Sequence, residues 1–195
     1  MDCSSASPLA LTSLTITQAA GVLNNNGVIA YPTEAVWGLG CDPFSATAVS
    51  RILAMKRRKP SMGLILIAAD IKQLSPFLSG LSQSQLEQLK AHWPGPQTWL
   101  VPNNLVAPPW VTGGRDTLAV RVTDHPVAAA LCRTFGGPLV STSANPHGFF
   151  PAKSLLKVNL YFRKQLDYVV PGLLGKSEKP TPIKNLITGE TIRLG

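Results

Sequence analysis

Negative charge is scarce in this chain: 10 Asp plus Glu face 18 Lys plus Arg, a formal charge of +8 where charged residues make up only 14% of the total. Such a field disfavours cationic ligands and suits polyanions, nucleotides or nucleic acid, although a basic protein with no such partner remains compatible with it. Cysteine is also scarce. Cys3, Cys41 and Cys132 lie far apart, with no C-x-x-C pair and no neighbouring histidine set, which argues against a disulfide framework and a structural zinc site. No stretch approaches the ~20 apolar residues of a membrane-spanning helix. Asp2 stands where a secretory signal would carry Lys or Arg, and Ser, Thr and Gln interrupt the apolar residues up to Val22. The expectation is a soluble, reduced, cytoplasmic protein without membrane association.

What is present is enough for a core. With 195 residues, 45% of them hydrophobic, one domain over residues 1–195 is favoured over two small ones. The 17 prolines and 16 glycines are scattered, punctuating short elements rather than marking disorder. Apolar spacing predicts a helix from Leu14 to Asn24 stopped by Asn26-Gly27, then a buried strand Val28–Tyr31 that ends at Pro32 and delivers Thr33 and Glu34. After the turn Cys41-Asp42-Pro43, Ser45 caps a helix with the stripe Ala48, Val49, Ile52, Leu53 and Met55. Leu64–Ala68 reads as a strand, Asp70 as the cap of a short helix to Leu78, and Ser82 with Gln85 as a capping box.

Strands are expected at Thr98–Val101 and Thr117–Val122, and a helix from Pro126 through Cys132 closed by Gly136-Gly137. Leu139-Val140 begins a strand into Ser141-Thr142-Ser143-Ala144-Asn145. A helix around 154–163, a strand near Tyr168–Val170 and a hairpin turning at Thr188-Gly189 complete a mixed α/β pattern.

Familiar catalytic signatures fail. Ahead of Gly175-Lys176-Ser177, the first glycine slot of a P-loop holds Val170, and the third glycine slot after Gly38-Leu39-Gly40 holds Pro43. There is no G-x-S-x-G elbow, and His92, His125 and His147 share no motif with a nucleophile. His125, before Pro126, reads better as a helix-start residue than as a catalyst. Hydroxyls, amides and fixed cations at strand ends remain. The run Lys56-Arg57-Arg58-Lys59 is equally compatible with a solvated face and with a bound polyanion. Strand alternation would put Ser141, Ser143 and Asn145 on one face, although Ser and Asn also end strands by bonding to local backbone.

These segments resemble a known family, the YrdC/TsaC-type threonylcarbamoyl-AMP synthases. The resemblance is carried by Tyr31–Gly40, by Lys56-x-Arg58 with Gly63-Leu64, by Trp93-Pro94-Gly95-Pro96-x-Thr98, by Ala119–Pro126 and by Ser141–Asn145, in the family's order along nearly the whole chain. It implies a single YrdC-like domain with a twisted mixed sheet, flanking helices and a concave basic cavity. The implied activity is that of a nucleotidyltransferase that joins L-threonine, bicarbonate and ATP, with magnesium accompanying the nucleotide. The product, threonylcarbamoyl-AMP, would serve threonylcarbamoyl-adenosine formation in tRNA through a TsaD, TsaB and TsaE complex.

By the same resemblance Lys56, Arg58, Ser143 and Asn145 are catalytic and hold ATP, with Thr117 and Arg193 as further nucleotide contacts. Thr33, Arg121, Ser141 and Thr181 hold threonine, and no metal site is implied. Arg121 lies in an apolar strand, so an acidic partner or a ligand is expected for it. Departures from the family pattern fall at Trp37, Lys59, Pro60, Met62, Pro146-His147, Lys184 and Asn185. A non-catalytic module for tRNA or other structured RNA explains the charge equally well, and a carbamoyl-transfer relative with another acceptor is a third reading.

Overall fold

A computed structural model of the chain describes residues 13–177 and 179–194; Cys3 and the rest of the first twelve residues lie outside that range. Helix α1 (Ser13–Asn24) leads through a left-handed Asn26 into β1 (Ile29–Pro32) and then β2 (Trp37–Cys41). Ser45 caps α2 (Ala46–Lys56), with its side chain accepting from the Ala48 N–H. β3 (Ile65–Ala68) is followed by α3 (Ile71–Leu74), capped by Asp70 and continued as a 3-10 turn over Ser75–Leu78. α4 (Gln83–Lys90) carries the expected capping box between Ser82 and Gln85. Then come β4 (Thr98–Pro102), the single turn α5 (Pro109–Thr112), β5 (Thr117–Val122), α6 (Pro126–Phe135) and β6 (Leu139–Ser143). The chain closes with α7 (Leu155–Phe162), β7 (Tyr168–Val169), β8 (Ile183–Asn185) and β9 (Thr191–Arg193).

All the strands join one mixed sheet in the order β7-β1-β2-β6-β3-β5-β4-β8-β9. Side chains alternate between its faces. On one face Leu66, Val120 and Val140 pack into a core with Ile52 and Leu53 of α2, Leu89 of α4 and Phe162 of α7. On the other Ile29, Tyr31, Ile67 and Leu139 pack against Leu23 of α1 and Leu131 of α6. Those two helices cover only part of their face, and a cavity of about 330 Å³ lies over β3, β5, β4 and β8 where that face continues.

Sequence reading misses one strand. Trp37–Cys41 carries glycine at two of its five positions, which lowers strand propensity. Both glycines have a packing reason. A methyl group at Gly40 would sit 2.7 Å from the Tyr31 ring and 2.9 Å from the Val140 carbonyl oxygen, so β2 can lie between β1 and β6 with the Tyr31 ring across it only if that side chain is absent.

Candidate active site

β5 presents Thr117, Ala119 and Arg121 to the cavity, and β6 presents Ser141 and Ser143, as a period of two requires. In the pairing register Ile65 stands opposite both Ala119 and Ser141, while Gly38 stands opposite Ser143. Eight of the ten expected site residues line this cavity: Thr33, Arg58, Thr117, Arg121, Ser141, Ser143, Thr181 and Arg193. Lys56 and Asn145 do not.

At one end charge is balanced. Arg121 is buried in its apolar strand, and its Nη2 donates to Glu34 Oε2 at 2.8 Å while Nη1 donates to Thr181 Oγ1 at 2.5 Å. Thr123 Oγ1 donates to the other Glu34 oxygen at 2.5 Å. Burial alone would raise the Glu34 pKa, but the Arg121 guanidinium and the Thr123 hydroxyl outweigh it and hold the carboxyl below its ordinary value. The acidic partner anticipated for Arg121 is thus Glu34, delivered by the end of β1. Beside it Tyr31 donates its hydroxyl proton to Ser141 Oγ at 2.8 Å. Burial pushes the Tyr31 phenol well above its usual range, so that proton stays on Tyr31. Ser141 therefore keeps its own proton to donate to a ligand.

The other end carries cations without acids. Arg58 donates from Nε and Nη2 to the Gly63 carbonyl, at 3.3 and 2.9 Å, and from Nη2 to the Met62 carbonyl. Arg115 donates from Nε to the Ser61 carbonyl at 2.9 Å, and Arg193 donates to the Thr181 carbonyl at 2.6 Å. Burial lowers the pKa of Arg58, and the charges of Arg115 and Arg193 lower it further. For Arg193 the causes are burial and Arg121. Arg115 and Arg58 both bond to the carbonyls of the 61–63 turn, and Arg193 and Arg121 both bond to Thr181, so the cations form a row of two pairs, of which the second meets Glu34. Among the lining residues four arginines face one glutamate, a local excess of +3.

The basic run is split by one backbone angle. Arg57 is left-handed (φ 50°) and ends α2, so Lys56 and Arg58 turn inward while Arg57 and Lys59 stay exposed. Lys56 is 4% exposed, which excludes a solvated face for that residue. Its Nζ donates to the Ser143 carbonyl, to the Asn145 carbonyl at 2.8 Å and to Asn145 Oδ1 at 3.4 Å. Burial, with Arg58 nearby, pushes the Lys56 ammonium down to about 7. Ser143 Oγ donates to the same Asn145 Oδ1 at 2.6 Å, and Asn145 Nδ2 donates to the Phe149 carbonyl at 2.7 Å. Lys56 and Asn145 therefore knot the turn after β6 into the cavity wall. The expected single face of Ser141, Ser143 and Asn145 holds for the two serines, because the strand ends at Ser143 and Asn145 follows the turn.

His125 precedes α6 as expected, but its side chain does not cap the helix. Nε2 pairs instead with the Leu173 carbonyl at 3.2 Å, and buried Nδ1 has no hydrogen-bond partner among the described residues. Of the departures, Trp37 and Met62 line the cavity, whereas Asn185 caps the terminal hairpin by accepting from the Ile187 and Thr188 N–H groups. Sequence reasoning passes over Arg115, whose only signal is a lone cation after Gly113-Gly114. No cluster of three or more His, Cys, Asp or Glu side chains that could hold a metal exists among the described residues.

The family model of Sua5, YciO and YrdC, described as "Telomere recombination", matches residues 21–195, and the chain belongs to that family. It is 54% identical over 178 residues to the threonylcarbamoyl-AMP synthase of Cellvibrio japonicus, covering 91% of this chain and 94% of that protein. Identity to the enzyme of the same name from Halorhodospira halophila is 56%, covering 91% and 93%. Among solved structures, P. abyssi Sua5 complexed with L-threonine superposes with a TM-score of 0.84 at 30% identity, over 90% of this chain and 52% of that one. The chain thus spans about half of Sua5. E. coli YciO matches with a TM-score of 0.79 at 27% identity, over 93% and 91%.

Proposed function

We propose that the chain is a nucleotidyltransferase that joins L-threonine, bicarbonate and ATP into threonylcarbamoyl-AMP and releases diphosphate. The observation that carries this reading is the cavity shared by the four residues expected for the amino acid and four of the six expected for the nucleotide, Arg58, Thr117, Ser143 and Arg193. The chain's identity to enzymes named for this activity supports it.

The chemistry needs no covalent intermediate on the protein. The neutral threonine amine bonds either to carbon dioxide, losing a proton, or to the carbon of bicarbonate as a C–O bond breaks and water leaves; both routes give a carbamate. A carbamate oxygen then bonds to the α-phosphorus as the bond to the β-phosphate oxygen breaks, and that electron pair leaves with diphosphate. Rate acceleration comes from positioning and charge neutralisation. Ser141, with its own proton free, Thr33 and the Arg121–Thr181 pair hold the amino acid. Arg121 is already bonded to Glu34, so it offers a fixed dipolar edge rather than a bare charge. Arg58 and Arg193 face the phosphates with Thr117 and Ser143, and Lys56 and Asn145 fix the wall that carries Ser143.

Magnesium enters with ATP as part of the substrate. Glu34, the carboxylate in the cavity, is occupied by Arg121 and Thr123, so the ion is held by phosphate oxygens and water. The product passes to a TsaD, TsaB and TsaE complex acting on tRNA in the cytoplasm; no helix among the described residues is long and apolar enough to cross a membrane. The test is diphosphate release by the purified chain. Release that requires both threonine and bicarbonate supports the reading, and equal release without threonine overturns it.

A further inference from the structure

Arg115 has no place in the scheme above, yet it stands at the far end of the cation row from Glu34. Arg115 is exposed, and the backbone junction that precedes it is closely packed. The turn Pro60–Met62 and the end of α5 lie back to back, with the Leu64 N–H donating to the Val111 carbonyl at 2.8 Å. Glycine is required on both sides. Gly63 (φ 63°) would place a methyl group 3.0 Å from the Thr112 carbonyl oxygen, and Gly113 (φ 69°) would place one 2.7 Å from the Pro60 carbonyl oxygen. Both angles also strain any residue with a side chain.

Across this junction the carbonyls of one turn orient two arginines. Ser61 takes Arg115 Nε, while Met62 and Gly63 take Arg58. Each guanidinium keeps nitrogens with no acceptor in the described protein, and each lines the cavity. Neither has a carboxylate partner, since the ion pairs among the described residues are Arg51–Asp167 and Arg121–Glu34.

We infer that Arg115 is a further substrate-binding residue: with Arg58 it forms a clamp, braced by the Pro60–Gly63 turn, for the terminal phosphates of the nucleoside triphosphate and hence for the departing diphosphate. The inference rests on the synthase reading and extends it to the leaving group. Phosphate oxygens are the part of the substrates with the greatest charge, and a guanidinium fork matches them in paired bonds. The row fixes the direction. The reacting α-phosphate must lie near the amino acid, at the Arg121 end, so the β- and γ-phosphates run toward Arg58 and Arg115. Charge that develops on the bridging oxygen as the bond breaks is then met by fixed cations.

The test is calorimetry on the full chain and on Arg115→Ala and Arg115→Lys, titrated separately with diphosphate, ATP, AMP and L-threonine. Loss of charge-assisted bonds predicts about a tenfold weaker affinity of Arg115→Ala for diphosphate and ATP, with AMP and threonine unchanged. Arg115→Lys, which keeps charge but loses the fork, should fall between. Unchanged diphosphate affinity in Arg115→Ala overturns the clamp, and so does an equal loss for AMP, which would mean a general disturbance of the site. Tight diphosphate binding that depends on Arg115, in a chain that makes no threonylcarbamoyl-AMP, would sink the synthase reading and leave the clamp standing.

Discussion

The two ends of the cavity solve opposite electrostatic problems. At the Glu34 end, a guanidinium and a carboxylate are buried together and satisfied by Thr123 and Thr181, so that end is nearly complete without a ligand. At the Arg58 end the cations are held, among the described residues, by backbone carbonyls and repel one another, so that end suits an anion. Substitutions at the first should therefore cost folding stability, and substitutions at the second should cost function.

The largest expected effect follows from breaking the balanced end. Glu34→Ala leaves Arg121 buried and unpaired, which costs about 3–5 kcal/mol, or a fall in melting temperature of about 10 °C. Thermal denaturation checks it, and a fall no larger than that of an ordinary surface substitution would mean that water reaches Arg121. Acid should reproduce the loss. The folded-state pKa of Glu34 lies below the ordinary 4.5, so as pH falls the unfolded chain takes up a proton that the folded protein refuses. The pair's contribution is complete above about pH 4.5 and fades as pH drops through the folded value. A Glu34→Ala variant should lack that part of the acid sensitivity.

Lys56→Met sharpens the comparison from the wall between the two ends. It removes three hydrogen bonds; Asn145 Oδ1 keeps Ser143 Oγ and the Ser143 carbonyl keeps the Asn145 N–H, but the Asn145 carbonyl loses this donor, which costs about 1–3 kcal/mol and loosens Ser143. Stability and activity should fall together in melting and diphosphate-release assays. An active, stable variant would show that Asn145 and Ser143 hold the turn unaided.

Arg58→Ala should separate the two properties. Diphosphate release falls at least about tenfold, while stability changes by less than about 1 kcal/mol, because the lost carbonyl bonds are offset by relief of repulsion from Arg115 and Arg193. The smallest effect is that of salt. Raising ionic strength should increase KM for ATP more than KM for threonine, since unbalanced and partly exposed charges are screened most. Equal shifts would place threonine within the same unbalanced field.

How much of this was legible in the sequence depended on whether the cause was local. Caps at Ser45, Asp70 and Ser82, the strand alternation that turns Thr117, Arg121, Ser141 and Ser143 to one face, and the need of Arg121 for an acidic partner all follow from nearest neighbours. Three features required the third dimension. β2 reads poorly as a strand until Tyr31 is seen lying across Gly40. Lys56 and Arg57 are adjacent and chemically alike, yet the left-handed turn at Arg57 sends one inward and the other to solvent. Arg115 is an unremarkable loop cation until Gly63 and Gly113 bring its turn against that of Arg58.

The central claim is that one hollow gathers an amino acid and a nucleotide so that they react with each other. Mass spectrometry of the nucleotide formed from isotopically labelled bicarbonate, threonine and magnesium-ATP tests it most directly. The account predicts an adenylate that carries both threonine and the label. AMP or ADP alone, with the label left in solution, would contradict it.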